Sequence, residues 1–299
     1  MTNLVKGDSG LVQLTHGDIK RIIAHQKLFG LDELQKYLFR FCKTMLTADD
    51  SLLKQFSIYN LVPSVLLYGP PNTGKTTLCY LLFDQIKQEV TNEINFYTVD
   101  VGRMLDPALG QSSRNLEQIF QDLRKISSDG SSVFLLLDEL DAFCMSRSRA
   151  QEHDAVRRAM TTLMLQLDNL QPSISQRFLV FGITNVPNLV DTAVVRRFSL
   201  KQTVDPSLSR DEFKSYLDYL NKPIKHNTKQ EDLQKLYGIY QHRAFTAGDI
   251  KALYKVLLID VICGDRDISI SERLVELFEK GFSTGEHLNQ TYSELSNDG

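Results

Sequence analysis

The sequence of 299 residues lacks the features that mark membrane, secreted and metal-binding chains. No apolar stretch approaches the ~20 residues of a membrane span, and no basic region followed by an apolar core opens the chain. The four cysteines show no CxxC spacing and the six histidines are dispersed, which disfavours a disulfide framework and a zinc site. We therefore expect a cytoplasmic protein with reduced cysteines.

A strong excess of one charge is also missing. The formal net charge is −3, so a broad nucleic-acid footprint is not indicated. Hydrophobic residues make up 42% and charged residues 24%, which is typical of a globular protein. The length allows one large domain and a smaller one.

A phosphate-binding motif is present near residue 70. The sequence GPPNTGKTT follows an apolar run at residues 65–68, in the order strand, loop and helix. Its glycines let backbone N–H groups face a phosphate, Lys75 would contact the β- and γ-phosphates, and the Thr76 hydroxyl would bind Mg²⁺. An ordinary Gly/Pro turn is the alternative interpretation. The predicted nucleotide-binding residues are Gly69, Pro70, Pro71, Asn72, Thr73, Gly74, Lys75, Thr76 and Thr77.

A second motif, VFLLLDE, occupies residues 133–139. An unbroken apolar run that ends in two acids is typical of a central parallel strand, and ligands bind at the carboxyl ends of such strands. Asp138 would then hold the Mg²⁺ shell, and Glu139 would orient and deprotonate the attacking water. Taken alone, the segment could be a strand that enters a solvated loop, but the pair of motifs predicts ATP hydrolysis.

The alternation of strands and helices predicts an α/β fold: a doubly wound parallel five-stranded sheet forming a P-loop ATPase domain, followed by a small all-α lid domain. The strands are expected at residues 64–68, 94–99, 132–137, 178–184 and 200–204. The expected divisions are a short N-terminal lead-in at 1–26, the large domain at 27–205, the lid at 206–284 and a polar tail at 285–299.

With these residues laid out, the chain resembles the AAA+ ATPases from about Lys27 to Leu258. The resemblance implies that the segment with Phe29 and Gly30 covers the adenine, and that Gly248 begins the lid helix over the nucleotide. It implies that Asn185 is sensor 1, which holds water and γ-phosphate; a turn former before Pro187 is the alternative interpretation.

The same resemblance places an arginine finger in the segment DTAVVRRF, with Arg197 as first choice and Arg196 as second. In this family the finger comes from the neighbouring subunit, so a homo-oligomeric ring, most often a hexamer, is implied. An Arg pair at a helix end could instead serve only the helix dipole. ATP and Mg²⁺ are the implied cofactors.

Two departures from the family pattern stand out. Asn72 replaces the usual Gly, and Asn is the least costly substitute if the residue has positive φ. The substrate pore loop is expected at Ala108, Leu109 and Gly110, where Ala108 stands in place of the usual aromatic residue. An ordinary surface turn is the alternative there, and a nucleotide-dependent scaffold that does not pull on its partners is the alternative function.

Shorter segments resemble two branches of the family. The sequence DAVR at 154–157 with LKQ at 200–202 resembles the compact bacterial checkpoint-type remodellers of HORMA-domain proteins, which are associated with antiphage second-messenger operons. The segment EHDAVRR at 152–158 resembles the spastin and katanin type. The first resemblance implies a HORMA-domain client that is disassembled from a signalling enzyme.

Overall fold

The computed structural model describes residues 10–100, 111–142, 150–170, 173–174, 176–186, 190–205, 207–263 and 269–288, without the side chains of 100 and 150–155. The chain divides into two compact units. The first comprises the residues up to Lys27, Glu33–Gly69 and Lys75–Thr203; the second comprises Leu28–Asp32, Pro70–Gly74 and the residues from Val204 onward. The expected domain limits of 27–205 and 206–284 stay a prediction.

The first unit is built on a six-stranded sheet of order β1-β3-β4-β5-β2-β6. Five strands are parallel, which confirms the predicted doubly wound class, and β1 pairs antiparallel with β3 at one edge. The strands are β1 Leu11–Leu14, β2 Ser64–Tyr68, β3 Ile94–Asp100, β4 Ser132–Asp138, β5 Phe178–Thr184 and β6 Leu200–Thr203.

The strand count of five was wrong by one, since the expected lead-in contains β1. That strand has four residues, of which only Leu11 is buried. Leu11 pairs with Val99 of β3, which lies far along the chain. The same segment also contains α1, His16–Ile23, where Thr15 and Asp18 form a capping box.

Seven helices of the first unit lie in its described part. They are α1 His16–Ile23, α2 Asp32–Thr47, α3 Asp50–Ile58, α4 Lys75–Glu89, α5 Gln111–Ser128, α6 Ala150–Asp168 and α7 Thr192–Arg197. No helix among the described residues is long and apolar enough to cross a membrane.

A row of phenylalanine rings crosses the sheet and fixes the position of α4. Phe134 of β4 stacks on Phe96 of β3 at 5.0 Å and on Phe181 of β5 at 4.8 Å between ring centroids. Phe83 of α4 meets Phe96 and Phe134 edge-on. Each such pair contributes about 0.5–1.5 kcal/mol beyond its buried area, so the helix that follows the phosphate-binding loop is firmly seated.

The second unit is helical after residue 203, as predicted. Its helices are α8 Arg210–Asn221, α9 Gln230–His242, α10 Ala247–Cys263 and α11 Ile270–Lys280. They enclose a separate core around Phe213, Leu236 and Phe278. Arg243 closes the end of this core, because its guanidinium donates to Glu286 and to the Phe278 carbonyl.

Candidate nucleotide site

The loop between β2 and α4 has the backbone of a phosphate cradle. Gly69 has φ of 147° and Gly74 has φ of 92°, values that favour glycine. A Cβ at Gly74 would lie 2.6 Å from Leu28 Cδ2, so this position also lacks room for a side chain. Asn72 has φ of 62°, which is the left-handed conformation that Asn tolerates best after Gly. The departure at Asn72 therefore preserves the shape of the loop.

A hydrogen bond within the loop holds the cradle in place. The Thr73 hydroxyl donates to the Pro70 carbonyl at 3.0 Å, and Thr73 is buried. Pro71 and Thr77 are half-buried on either side. The loop thus has a defined backbone conformation that its own residues stabilise.

Lys75 is the first residue of α4 and is buried, with 4% of its surface exposed. Its Nζ donates to the Gly69 carbonyl at 2.9 Å. Burial lowers the pKa of Lys75 from 10.5 to about 8, although Asp138 and Asp141 act in the opposite direction. An ammonium held under these conditions gains strongly from an anion placed beside it.

The two motifs meet through Thr76 and Asp138. The Thr76 hydroxyl donates to Asp138 Oδ2 at 3.1 Å, and Asp138 Oδ1 accepts the Glu139 N–H at 2.9 Å. Burial raises the pKa of Asp138, opposed by these hydrogen bonds and by Lys75. A hydroxyl and a carboxylate side by side are hard oxygen ligands that suit Mg²⁺.

Glu139 has an unusual backbone for a residue directly after a strand. Its φ is 56°, in the region that costs a non-Gly residue about 1–3 kcal/mol. The neighbouring hydrogen bonds impose it: the Leu140 N–H donates to the Ile183 carbonyl and the Ala142 N–H to the Glu139 carbonyl, each at 2.9 Å. The carboxylate is thereby held at an exposed position beside the carboxyl ends of β4 and β5.

Asp141 is a site residue that the sequence predictions missed. Its Oδ1 accepts the Thr184 hydroxyl at 3.0 Å and the Asn185 N–H at 3.3 Å. The Thr184 hydroxyl in turn accepts the Val186 N–H at 3.1 Å. Asp141 therefore fixes the backbone at Asn185, and the signal for it was a third carboxylate three residues after Asp138.

The arginine pair lies at the amino ends of the parallel strands, whereas the phosphate loop follows the carboxyl end of β2. The Arg197 carbonyl accepts the hydroxyl of Ser64 at 3.5 Å, and Ser64 begins the strand whose far end leads into the phosphate loop. From Ser64 to Tyr68 the strand rises by four residue steps, a length of roughly 13 Å. Arg197 is held by Asp168 at 2.9 Å and by the Ala193 carbonyl at 2.8 Å, whereas Arg196 is exposed.

The second unit contains the remaining predicted residues. Phe29 is buried against the rings of Tyr216 and Tyr219, at 4.9 and 5.7 Å, and Gly30 has φ of 72°. The Gly248 N–H donates to the Asn72 carbonyl at 3.1 Å, and a Cβ at Gly248 would lie 2.3 Å from Asn72 Cβ.

The structure thus brings Lys75, Thr76, Asp138, Glu139 and Asn185 to one edge of the sheet. Arg196 and Arg197 lie instead near the amino end of β2. The expected pore-loop residues Ala108, Leu109 and Gly110 lie outside the described residues.

One protein family matches the part of the chain that contains most of the candidate site. The sequence model of the ATPase family associated with various cellular activities (AAA) matches residues 65–206, which include both motifs, Asn185 and the arginine pair. Residues 65–206 therefore carry an AAA ATPase domain.

Curated relatives are similar to more than half of the chain. The chain is 28% identical over 202 residues to an ATPase-like fidgetin of Schizosaccharomyces pombe, which covers 65% of the chain and 29% of that protein. It is 26% identical over 186 residues to an AAA ATPase forming ring-shaped complexes of Corynebacterium glutamicum, covering 60% and 35%. The chain thus spans about a third of the length of these relatives.

A solved structure shares the fold over nearly the whole chain. A chain of the E. coli MS115-1 HORMA:CdnC:Trip13 complex superposes with a TM-score of 0.72, covering 91% of this chain and 95% of that one at 18% identity. This likeness shows the fold.

Proposed function

We propose that this protein binds ATP with Mg²⁺ and hydrolyses it. The observation that carries the proposal is the contact between the motifs, Thr76 to Asp138 at 3.1 Å, beside the buried Lys75. The left-handed loop offers backbone N–H groups to phosphates, and Lys75 neutralises their charge. Mg²⁺, held by Thr76 and Asp138, would neutralise charge on the phosphate oxygens.

The hydrolytic step falls to Glu139 and Asn185. Glu139 accepts a proton from the attacking water, and the strained backbone keeps its carboxylate at the carboxyl edge of the sheet. The Asn185 amide orients that water without adding charge. Asp141 holds the backbone of Asn185, so it acts as a positioning residue.

Arginine assistance comes from a second copy of the chain in this proposal. Roughly 13 Å of strand separates the arginine pair from the phosphate loop of its own sheet, which is too far for direct contact. A finger supplied from a neighbour contributes about 10³–10⁵ in rate. The ring named for the Corynebacterium relative supports such an assembly, and a hexamer is the finer proposal.

The Glu139→Gln variant tests the proposal. It keeps the side-chain size and removes the base, so nucleotide binding should persist while ATP turnover stops. Glu117→Gln, at an exposed position of α5, is the matched control and should turn over ATP at the wild-type rate. Full turnover in Glu139→Gln would contradict the assignment.

For the work that hydrolysis drives, we propose remodelling of a protein client. The likeness to a chain of the HORMA:CdnC:Trip13 complex supports a HORMA-domain client, for which we propose an antiviral signalling system in the cytoplasm. The likeness to fidgetin supports the severing type as the alternative. A pull-down with Glu139→Gln and ATP should retain the client. Recovery of a HORMA-domain protein supports the first, and recovery of tubulin would replace it.

A scaffold that assembles without pulling is the second candidate. The observation that favours it is Ala108, since threading relies on a large rigid side chain at the pore. Leu109→Ala distinguishes the two: loss of client disassembly with intact ATP turnover supports remodelling, whereas a wild type and a variant that both recruit the client without disassembling it support the scaffold.

A further inference from the structure

A buried carboxylate lies in the first turn of α10, and the hydrolytic step proposed above does not use it. Asp249 is 4% exposed, and its hydrogen-bond partners are neutral groups of two threonines, Thr246 and Thr284. A buried charge is costly unless hydrogen bonds compensate for it. Because the two threonines come from segments that are far apart along the chain, Asp249 joins these segments.

The first of these segments is the start of α10 itself. Asp249 Oδ2 accepts the Thr246 N–H at 2.9 Å, and the Thr246 hydroxyl accepts the Asp249 N–H at 3.2 Å. Such a reciprocal pair is a capping box, which satisfies backbone N–H groups at the beginning of a helix. It fixes the first turn of α10, and Gly248 lies in that turn.

The other segment is residues 283–286, here called the C-terminal strap. The Thr284 N–H donates to Asp249 Oδ2 at 3.0 Å, and the Thr284 hydroxyl donates to Asp249 Oδ1 at 2.6 Å. Hydrogen bonds to an ionised carboxylate are roughly twice as strong as those between neutral groups. Thr284 is buried, so water does not compete for these bonds. The strap is thus tied directly to the start of α10.

Further contacts hold the strap against the residues just before α10. The Glu286 carboxylate accepts two hydrogen bonds from the Arg243 guanidinium, at 2.9 and 2.6 Å, and the Ser283 hydroxyl donates to the Arg243 carbonyl. A Cβ at Gly285 would lie 2.2 Å from the Ala244 carbonyl oxygen, so the two backbones approach closely. The strap therefore has a fixed position beside the start of α10.

The first turn of α10 in turn contacts the phosphate loop. The Gly248 N–H donates to the Asn72 carbonyl at 3.1 Å, and Asn72 belongs to the same compact unit as α10 and the strap. Asn72 has a left-handed backbone, which a residue other than glycine keeps only where its surroundings favour it. Displacement of this turn of α10 would remove a contact that supports the conformation of Asn72.

We propose that Asp249 and Thr284 are positioning residues for nucleotide binding, because they hold Gly248 against Asn72 and so keep the phosphate loop in its conformation before ATP arrives. This inference rests on the proposed function for the identity of the ligand. A site that is already ordered loses less conformational entropy when it binds. Since coupling between two sites is reciprocal, bound nucleotide should also stabilise the C-terminal strap.

The test uses the full chain and the variant Thr284→Val, which removes the hydroxyl and keeps the branched shape of the side chain. A fluorescent ADP analogue should bind about tenfold more weakly. The kcat at saturating ATP should stay within about twofold of wild type, because the hydrolytic residues are unchanged. Thr284→Ser restores the hydroxyl and should restore the affinity.

Ser209→Ala is the matched control. The Ser209 hydroxyl donates to the Glu212 carboxylate at 2.6 Å at the start of α8, so the control loses a similar hydrogen bond from the same compact unit. It should keep the wild-type affinity for the ADP analogue. Equal affinities for wild type and Thr284→Val would overturn the inference, and so would an equal loss of affinity in Ser209→Ala.

Hydrogen exchange of single amides gives a second readout. Without nucleotide, the Gly248 N–H should exchange faster in Thr284→Val than in wild type or Ser209→Ala, and equal exchange would overturn the inference. In wild type, bound ADP should slow exchange of the Thr284 N–H, a measurement that needs no variant; unchanged exchange would count equally against the coupling. A wild type that binds no nucleotide, with faster Gly248 exchange in Thr284→Val, would refute the proposed function and support the link from strap to loop.

Discussion

The buried ammonium of Lys75 predicts opposite pH dependences for stability and for nucleotide binding. Its pKa is about 8 in the folded chain without nucleotide and 10.5 as the ordinary value. Between these values the unfolded chain binds more protons than the folded one, so stability rises with pH through this window. Nucleotide binding needs the charged ammonium, so affinity falls as the pH rises above about 8.

The pKa shift of Lys75 sets the size of both effects, on stability and on nucleotide affinity. A pKa difference of 2.5 (10.5 less 8) gives Lys75 a stability gain of about 2.5 kcal/mol between pH 7 and pH 10. Binding weakens about twofold at pH 8 and about tenfold at pH 9 relative to pH 7, as long as bound phosphate keeps the ammonium charged. The empty chain thus gains stability over the range in which it loses affinity.

Urea unfolding of wild type and Lys75→Met isolates the effect on stability. The other titrating groups cancel when the unfolding free energy of the variant is subtracted from that of the wild type. The wild-type chain should gain about 2.5 kcal/mol on the variant between pH 7 and pH 10. Titration with a fluorescent ADP analogue measures the second. A stability difference that does not change with pH, or an affinity that stays flat to pH 9, would refute the reasoning about Lys75.

Two further predictions concern positioning. Asp141→Ala removes the acceptor for Thr184 and Asn185, so kcat should fall between about tenfold and a hundredfold with little change in ATP affinity. A variant that loses affinity and keeps kcat would contradict that role. Gly248→Ala places a Cβ 2.3 Å from Asn72 Cβ and should destabilise the chain by about 1–3 kcal/mol in thermal unfolding. Asn72→Gly in the same chain should restore part of the loss, and no recovery would count against the contact.

The parts of the fold that were predictable are those with strong local signals. Strands β4 and β5 are buried on both faces and read as unbroken apolar runs, so their class and position follow from the sequence. The strand β1 has no such signal. Its four residues become a strand only because β3 offers an open edge, and that partner is specified by the tertiary structure.

The candidate site shows the same division. The loop from Gly69 to Thr76 is a contiguous motif, and Asn72 has the positive φ at which Asn is the least costly substitute for Gly. Asp141 acts on a residue 44 positions away, and the left-handed backbone of Glu139 arises from a hydrogen bond to the next strand. Neither is visible before the strands are paired. The Asp168 contact of Arg197 is likewise tertiary.

The central claim is that each hydrolytic site is completed by a second copy, and mixing two inactive variants tests it most directly. Lys75→Met lacks the nucleotide contact and keeps the arginines, whereas the double variant Arg196→Ala with Arg197→Ala keeps the nucleotide contact. Each alone should be inactive. In an equal mixture about a quarter of the interfaces join an intact site to an intact arginine pair, so ATP turnover should reappear in proportion. A mixture as inactive as its components, or an arginine variant that turns over ATP by itself, would contradict the claim.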